Sequence, residues 1–260
     1  MLKENERFID STVFEGMTSI RAILEGNKSK VNDRRIEKIL YDKDKIKKIG
    51  KTVGYLKAVS AEYGYTLEET TDEYLEDITL GSSHGGLVAI CSERNLPKLA
   101  DSKDKIIKNG FYAMIDGIED PYNFGYSLRS LYACGCDGIV LGERNWFSAS
   151  GVVCRSSAGA SEMFNCFVSS GETACDIFKS LGYTIICASE DGECDLGNIK
   201  LNTPILLIVG GEKRGISKAT LEKCDIKIRI PYKKAFNASL SAASATTMFA
   251  YEIMRQNSGK

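Results

Sequence analysis

Residues 111–135 read FYAMIDGIEDPYNFGYSLRSLYACG and indicate the fold class of this chain. The first six residues form an apolar run, which is typical of a strand buried on both faces. Pro121 follows a short polar turn and stands where proline favours the start of a helix. The stretch therefore predicts a strand, a turn and a helix in succession.

Similar apolar runs recur toward the C-terminus, separated by segments that predict helices. The runs are GIVL at 138–141, FNCFV at 164–168, YTIICA at 183–188, PILLIVG at 204–210 and IKIRIP at 226–231. Near-continuous apolar strands that alternate with helices predict a mostly parallel sheet with helices on both faces. We therefore expect an α/β domain over residues 109–260.

Residues 1–108 predict a second, smaller α/β domain. We expect helices at 16–26, 42–63 and 71–80, and strands at 36–41, 65–67 and 86–92. The helix at 42–63 is rich in lysine, and its apolar residues recur at helical spacing. These apolar residues are Ile46, Ile49, Val53, Leu56 and Val59. The polar stretch 97–110 suits a linker or a boundary helix between the two domains.

The composition is that of a globular protein, with 43% hydrophobic and 27% charged residues among 260. No run of eighteen apolar residues predicts a membrane span, and the N-terminus lacks the apolar core of a secretory signal. The net charge is −1, yet residues 1–60 hold 14 basic and 9 acidic residues, and residues 61–80 hold seven acids and no base. A basic face can attract a polyanion, and it can equally be a solvated surface.

Nine cysteines and one histidine bear on metal binding and on the redox compartment. No pair of cysteines has the CxxC spacing of a zinc site, and His84 alone cannot complete a Cys/His site. Several cysteines lie in apolar runs, where a free thiol behaves as a small hydrophobic group. We therefore expect no metal, no disulfide framework and a reducing cytoplasm.

Two groups of residues that could take part in catalysis or ligand binding follow predicted strands. Asn123 and Arg129 come after the strand at 111–116, at the edge where open α/β sheets place ligands. A capping asparagine and a solvated arginine would give the same pattern. Gly210, Gly211 and Gly215 follow the strand at 204–210, and glycines there let a ligand approach the backbone closely. A simple strand-to-helix turn capped by Ser217 is the alternative.

A third group follows the last predicted strand. Asn237 and Ser239 lie between Ile230-Pro231 and a long helix that is rich in small residues. Asn237 could instead cap that helix. The chain contains no GxGxxG turn after the first strand, no Walker A pattern and no GxSxG elbow, which argues against the common NAD, NTP and α/β-hydrolase sites.

Taken together and in this order, the three groups resemble the SpoU/TrmH-type RNA ribose methyltransferases, a branch of the knotted SPOUT class. The matching pieces are Asn123-x-Gly125-x-x-x-Arg129, RSSAGASE at 155–162, Gly210-Gly211-Glu212 with Gly215, and Ile230-Pro231 followed by Asn237-Ala238-Ser239. The N-terminal half is similar to the family's substrate-binding domain, through VFEGMTSIRAILEG at 13–26 and HGGLVA at 84–89. The resemblance covers nearly the whole chain.

The resemblance implies transfer of a methyl group from S-adenosylmethionine to a ribose 2′-hydroxyl of ribosomal or transfer RNA. Arg129 would bind the target phosphate and stabilise the developing alkoxide, and Asn123 and Asn237 would position Arg129 or the ribose. Glu212 would orient the site or form a hydrogen bond with neighbouring backbone. The implied cofactor-binding residues are Ala188, Ser189, Val209, Gly210, Gly211, Gly215, Ile230, Pro231, Ser239 and Leu240.

The resemblance also implies a deep trefoil knot and a homodimer formed through the long C-terminal helix and the helix at 123–134. For His84 it implies a structural or RNA-contacting role away from the cofactor. Three features depart from the family pattern: Ala235 replaces a usual serine, Lys213 a frequent glycine, and the stretch before Asn237 is shorter. A non-catalytic RNA-binding protein that retains the fold is therefore the main alternative, and an ordinary nucleotide-binding α/β enzyme is the third.

Overall fold

The computed structural model describes residues 12–79, 82–118, 120–142, 149–211, 214–235 and 237–259. The chain divides into two compact units. The small unit comprises the ranges Met1–Asn95 and Trp146–Met163, and the large unit comprises Leu96–Asn145 and Phe164–Lys260. The small unit thus includes a segment that lies late in the sequence. The predicted domain boundary after residue 108 stays a prediction.

Helices and strands alternate along most of the described chain. The helices are α1 (Gly16–Lys28), α2 (Ile46–Tyr63), α3 (Asp72–Ile78), α4 (Pro121–Ala133), α5 (Ser150–Ser156), α6 (Gly171–Ser180), α7 (Lys218–Lys223) and α8 (Ala242–Asn257). The strands are β1 (Val13–Glu15), β2 (Ile36–Asp42), β3 (Thr66–Thr70), β4 (Leu87–Cys91), β5 (Phe111–Asp116), β6 (Gly138–Leu141), β7 (Asn165–Val168), β8 (Thr184–Ala188), β9 (Cys194–Asp195), β10 (Ile205–Gly210) and β11 (Ile226–Arg229).

The small unit has a four-stranded sheet with the strand order β1-β4-β2-β3. Strand β4 runs antiparallel to β1 and β2, and β3 runs parallel to β2. Its core combines Phe14, Ile20 and Ile23 from β1 and α1 with Val53 and Leu56 from α2. Because the apolar residues of each helix recur every three to four positions, both helices bury one face and leave the other exposed.

The segment that contains α5 packs tightly into the small unit. A Cβ atom at Gly151 would overlap the carbonyl oxygen of Val13, and one at Gly26 would overlap that of Glu162. Glycine at these two positions therefore allows the backbones to approach each other. The close fit joins residues that are more than a hundred positions apart in the sequence.

The large unit is built on a seven-stranded sheet with the order β7-β6-β5-β10-β8-β11-β9. All neighbouring strands are parallel, which confirms the predicted parallel sheet. Leu206 and Ile208 of β10 pack with Phe178 of α6 on one face of the sheet. Helix α8 contacts both β10 and α4. Since side chains alternate along a strand, Leu207 and Val209 point to the face opposite Leu206.

The elements agree with the sequence-based expectations apart from a few local differences. The lysine-rich helix begins at Ile46 rather than at 42, because Asp42 still belongs to β2. Ile46 is 41% exposed, so it does not share the buried face. The short strand β9 was not predicted, since two residues give no periodicity. Leu80, the predicted end of the third helix, lies outside the described residues.

The stretch 97–110 contains short 3-10 turns rather than only a linker, and its Leu99 is fully buried. None of the described helices combines the length and the apolar character needed to span a bilayer. The trefoil knot implied by the resemblance stays a prediction.

Candidate cofactor cavity and catalytic residues

A cavity of about 1030 Å³ opens at one edge of the large unit's sheet. It lies at the carboxyl ends of β8, β10 and β11, because parallel strands all end at the same edge. Its size is close to the upper end of the range for small-molecule sites. All ten residues that the resemblance implied as cofactor-binding line this cavity: Ala188, Ser189, Val209, Gly210, Gly211, Gly215, Ile230, Pro231, Ser239 and Leu240.

The glycine turn after β10 packs against its own chain. The Gly211 N–H donates to the Asp116 carbonyl at 2.8 Å, and the Gly215 N–H donates to the Gly211 carbonyl at 2.9 Å. A Cβ atom at Gly211 would overlap the Gly117 carbonyl oxygen, and one at Gly210 would collide with the backbone of Gly215. Backbone contacts therefore require both glycines, within the turn for Gly210 and with the segment after β5 for Gly211. Of the two interpretations from sequence, a ligand approaching the backbone and a simple strand-to-helix turn, the second accounts for these contacts.

One contact joins the loop before α8 to another wall of the cavity, and a second contact lies within that loop. The Ser239 hydroxyl donates to the Glu190 carboxylate, which follows β8. The Leu240 N–H donates to the Tyr232 hydroxyl at 3.0 Å. These contacts hold the chain between β11 and α8 along the cavity wall.

Charged and apolar groups both face the cavity. Arg229 and Asp195 line it and form an ion pair in which Nε and Oδ1 lie 2.6 Å apart. Glu190 and Arg214 add one charge of each sign. The larger apolar side chains of the wall include those of Val209, Ile216, Leu221, Ile228, Ile230, Leu240 and Phe249. The wall therefore suits a ligand that has both an apolar ring and charged groups.

Sequence reasoning missed several of these lining residues. Glu190 directly follows the predicted Ala188-Ser189 at the end of β8, so its position in the sequence could have indicated it. Phe249 lies two turns into α8, and no local signal separates it from an ordinary core residue. Its contribution to the wall depends on how α8 packs against β10.

Asn237 lines the cavity and does not cap α8. The cap is Ser241, whose Oγ accepts from the Ser244 N–H at 3.2 Å. A serine can fill this role because its side-chain oxygen satisfies an N–H group that the first turn leaves without a partner. The alternative interpretation of Asn237 as a helix cap is therefore wrong.

Asn123 and Arg129 lie on α4, whose cap is Asp120. The Asp120 carboxylate accepts from the N–H groups of Tyr122 and Asn123, at 3.2 and 3.1 Å. Arg129 is exposed and makes no ion pair or hydrogen bond with a described residue. Neither Asn123 nor Arg129 is among the described residues that line the cavity.

Helix α4 is held against α8, the helix that forms part of the cavity wall. The hydroxyls of Ser130 and Thr247 lie 2.7 Å apart across the two helices. Ala242, Ala245 and Phe249 of α8 line the cavity. The helix that carries Arg129 thus packs directly on a helix that lines the cavity. Glu212 and Lys213 lie outside the described residues.

The remaining motif residues belong to the small unit. Arg155 Nη1 donates to Glu15 Oε2 at 2.9 Å, and the buried Glu162 binds Arg34. His84 is also buried, and its Nδ1 accepts from the Gly86 N–H at 3.1 Å. Its Nε2 has no hydrogen-bond partner among the described residues and lies 3.7 Å from Asp72 Oδ1.

Comparison with known proteins decides the family. The model of the SpoU rRNA Methylase family matches residues 110–251, which is more than half of the chain. The chain belongs to the SpoU rRNA methylase family. The matched range begins immediately before β5 and includes the whole cavity wall together with α4, so the family assignment and the cavity concern the same unit.

Two relatives match this chain at moderate sequence identity. A Staphylococcus haemolyticus protein assigned to the TrmH family of tRNA/rRNA methyltransferases is 31% identical over 144 residues, which are 55% of this chain and 57% of that protein. The 23S rRNA (guanosine-2′-O-)-methyltransferase of Shewanella oneidensis is 27% identical over 75% of this chain and 80% of its own length. The alignment thus spans less than two thirds of the first of these relatives.

Solved structures of SpoU-type enzymes share the fold of nearly the whole chain. The SpoU methyltransferase AviRb of Streptomyces viridochromogenes, in complex with AdoMet, gives a TM-score of 0.76 at 22% identity and covers 95% of this chain and 91% of its own. An AdoMet-bound rRNA methyltransferase of Sinorhizobium meliloti gives 0.77 at 20% identity, over 95% and 87%. At these identities the similarity establishes the α/β fold.

Proposed function

We propose that this protein is an S-adenosylmethionine-dependent RNA methyltransferase that modifies a ribose 2′-hydroxyl of ribosomal or transfer RNA. The observation that carries the proposal is the cavity at the carboxyl edge of the parallel sheet, lined by all ten residues implied as cofactor-binding. Membership of the SpoU family supports the same reaction class. The relatives named for 2′-O-methylation lend further support.

The residues of the cavity fit S-adenosylmethionine chemically. Apolar side chains such as Val209 and Phe249 suit an adenine ring, while Glu190 and Asp195 complement a cationic sulfonium and an ammonium group. Arg214 and Arg229 supply charges of the sign that a carboxylate needs. When bound, this cofactor supplies a methyl group attached to a positively charged sulfur.

The protein's own contribution is to hold the ribose and to stabilise charge. We assign to Arg129 the binding of the RNA phosphate next to the target ribose, because an arginine stays protonated and binds phosphate in a bidentate manner. Its positive charge would also stabilise the alkoxide as the hydroxyl proton leaves. Asn237, on the cavity wall, and Asn123, on the helix of Arg129, would orient the ribose and that arginine. Glu212 would orient the site.

Calorimetry combined with methyl transfer tests this proposal. We expect one-site binding of S-adenosylmethionine and S-adenosylhomocysteine to the wild-type protein and to Arg129→Lys, since Arg129 lies outside the cavity wall. Transfer of labelled methyl to RNA from cells that lack the gene should fall about 100-fold or more in Arg129→Lys, because lysine loses the bidentate contact. Nucleoside mass spectrometry would identify the product as a 2′-O-methyl nucleoside.

The main alternative is an RNA-binding protein without catalysis, which the alanine at position 235 keeps open. Tight RNA binding together with no affinity for either cofactor form, with or without RNA present, would favour this alternative. Equal methyl transfer by the wild-type protein and Arg129→Lys would overturn the role of Arg129 while leaving the reaction intact.

We further propose that the protein works as a homodimer through α4 and α8. Both helices carry large exposed side chains: Tyr126 and Tyr132 on α4, and Met248 and Tyr251 on α8, each 40–55% exposed. Tyrosine and methionine are enriched at protein interfaces, and α4 packs beside α8 in the same unit.

We also propose that the protein works in a reducing compartment such as the cytoplasm, which its nine free thiols support.

A further inference from the structure

The cavity at the sheet edge is lined by two carboxylates in different electrostatic situations. Asp195 of β9 is paired within the wall, because Arg229 Nε lies 2.6 Å from its Oδ1. Glu190, which follows β8, lines the same cavity and makes no ion pair with a described residue. The wall therefore contains one pair of opposite charges and one carboxylate without a cationic partner in the described part of the chain.

A hydrogen bond holds the carboxylate of Glu190 in place. The Ser239 hydroxyl donates to it. Glu190 lies just beyond the end of β8, whereas Ser239 belongs to the loop before α8, so the bond joins two separate parts of the wall. Although Glu190 is exposed, this bond restricts the rotamers of its side chain. The carboxylate is therefore presented to the cavity in a defined position.

The hydrogen bond to Ser239 does not by itself require a negative charge at position 190. A glutamine side chain has the same length, and its amide oxygen accepts a hydrogen bond from a hydroxyl as a carboxylate oxygen does. The charge of Glu190 is thus not accounted for by contacts with the described residues. A fixed charge on a cavity wall is expected to serve a ligand that carries the opposite charge.

The charges of S-adenosylmethionine fall into two matching groups. Its amino-acid end has an ammonium and a carboxylate side by side, and its sulfonium has a single positive charge. The Asp195–Arg229 pair offers one charge of each sign, which complements a zwitterion. Arg214, also on the wall, has the same sign as a sulfonium and does not attract it. Glu190 is then the carboxylate that complements the sulfonium.

We propose that Glu190 makes this cavity prefer the sulfonium cofactor to its neutral product, S-adenosylhomocysteine. The inference rests on the proposed function, because it assumes this cofactor, and it adds how the cavity distinguishes cofactor from product. The two ligands differ by one methyl group and one positive charge, so a carboxylate near the sulfur attracts only the first.

The same charge change favours release of the product. In the transfer, the ribose oxygen forms a bond to the methyl carbon, the electron pair of the broken carbon–sulfur bond stays on sulfur, and the hydroxyl proton passes to solvent. The sulfur is neutral afterwards, so its attraction to Glu190 ends with the reaction. Glu190 is therefore expected to strengthen binding of the cofactor without strengthening binding of the product.

Calorimetric titration of the full chain with three ligands tests the proposal. The ligands are S-adenosylmethionine, S-adenosylhomocysteine and sinefungin, which has an ammonium group where the cofactor has its sulfonium. Glu190→Gln should bind the two cationic ligands about five to ten times more weakly, and S-adenosylhomocysteine within about twofold of the wild type. Its thermal midpoint should match that of the wild type, because glutamine keeps the hydrogen bond with Ser239.

Two further variants make the result specific to Glu190. Glu193→Gln, the same change at an exposed acid that is not among the described residues of the cavity wall, should leave all three affinities unchanged. Asp195→Asn should weaken the three ligands alike, because all of them have the amino-acid ammonium. If Glu190→Gln weakens the three ligands equally, or none of them, the inference is overturned.

Steady-state methyl transfer separates selection of the cofactor from catalysis. The positive charge on sulfur is smaller in the transition state than in the bound cofactor, so Glu190→Gln should raise KM for S-adenosylmethionine and leave kcat undiminished. A lower kcat with unchanged KM would mean that Glu190 acts on the reacting groups, and it would overturn the inference.

The failure of this inference is distinguishable from the failure of the proposed function. If the wild type binds neither cofactor form, with or without RNA, the proposed function fails and the inference falls with it. If the wild type binds both forms and methylates RNA, while Glu190→Gln keeps the wild-type ratio of the two affinities, only the inference fails.

Discussion

At the scale of single residues, the small unit contains a buried ion pair between Arg34 and Glu162. Both side chains are almost completely buried, with Nε and Oε2 3.0 Å apart. Asn32 Nδ2 donates to the same carboxylate oxygen at 2.6 Å, and the Arg34 guanidinium also lies 4.6 Å from the centre of the Phe14 ring. A buried charge is tolerated only where it is paired and hydrogen-bonded, and here both conditions are met.

Removing one partner of this pair should destabilise the protein strongly. We expect Glu162→Gln to lower the free energy of unfolding by about 3–5 kcal/mol, because Arg34 would remain as an uncompensated buried charge. Urea unfolding monitored by circular dichroism measures this change. The double variant Arg34→Met/Glu162→Leu should recover much of the loss, and a double variant less stable than Glu162→Gln would contradict this explanation.

At the scale of elements, turns and helix ends determine the shape of the cavity wall. The turn after β10 depends on Gly211, whose backbone lies against that of Gly117. Helix α8 is anchored near its other end, where Gln256 Nε2 donates to the Ile199 carbonyl at 3.0 Å. The Leu201 N–H donates to Gln256 Oε1 at 2.8 Å, so this side chain fixes the loop that precedes β10.

The glycine turn should not tolerate a side chain. Gly211→Ala is expected to weaken binding of S-adenosylmethionine by tenfold or more, about 1.4 kcal/mol, because the added Cβ would force the cavity wall away from Gly117. Calorimetric titration measures the change. Gly50→Ala in α2 of the small unit is the matched control, since a Cβ there meets nothing within 4 Å and the residue has no positive φ angle, and binding should stay close to that of the wild type. Equal affinity in Gly211→Ala would refute this account of the turn.

The carboxylate of Glu252, near the C-terminal end of α8, should make the stability of the fold depend on pH in the acid range. Hydrogen bonds from Arg255 and Gln256 lower the pKa of Glu252 from 4.5 to about 2. Because the pKa is lower in the folded state, the carboxylate stabilises the fold at pH values above 4.5, and this contribution is lost as the pH falls toward 2. The thermal midpoint of the wild type should exceed that of Glu252→Gln at pH 7, and the difference should shrink between pH 4.5 and 3. A constant difference would exclude this linkage.

At the scale of the whole molecule, burial controls the reactivity of the thiols. Six cysteines are buried, and Cys134, Cys194 and Cys224 are partly exposed. Burial raises the pKa of Cys154 to about 12, and it raises the pKa of Cys134 as well. Since the thiolate is the reactive form, the fraction of thiolate is reduced at these two positions, and burial limits the access of a reagent to the six buried thiols.

Thiol counting at pH 8 tests this view of the fold. We expect no more than three thiols to react rapidly with a disulfide reagent in the native protein, and all nine to react in guanidinium chloride. Peptide mapping should assign the fast sites to the three partly exposed cysteines. Rapid labelling of Cys154 or Cys187 without denaturant would mean that the cores of the units open more readily than their burial indicates.

The assembly proposed for the large unit can be tested separately. Met248→Glu/Tyr251→Glu introduces two charges on the exposed side of α8, where both native side chains are more than 40% exposed. We expect analytical ultracentrifugation to give a dimer for the wild type and a monomer for this variant, because unpaired charges are costly to bury in an interface. Tyr74→Glu, a matched exposed tyrosine of the small unit, should remain dimeric. A monomeric wild type would refute the homodimer.

Local sequence was sufficient to predict the strands and some of the helix caps, because these depend on interactions between residues close together in the chain. Apolar runs predicted β5, β6, β7, β8, β10 and β11, because a strand covered on both faces must be apolar along its length. Ser217 was recognisable in the turn before α7, since a cap needs only a side-chain oxygen next to the first N–H groups. At α4 the cap is Asp120, so the alternative of a capping Asn123 was wrong. The order of the motifs also indicated the cavity, because parallel strands end at one edge.

Tertiary structure alone decided which distant residues meet. No local pattern indicates that Glu162 binds Arg34, that Ser239 binds Glu190, or that Phe249 completes the cavity wall. Such contacts depend on how elements far apart in the chain pack together, and that packing is a property of the whole fold. The same holds for the surroundings of glycines: a Cβ at Gly211 would collide with backbone, whereas one at Gly54 would face open space, and neither environment can be read from the local sequence.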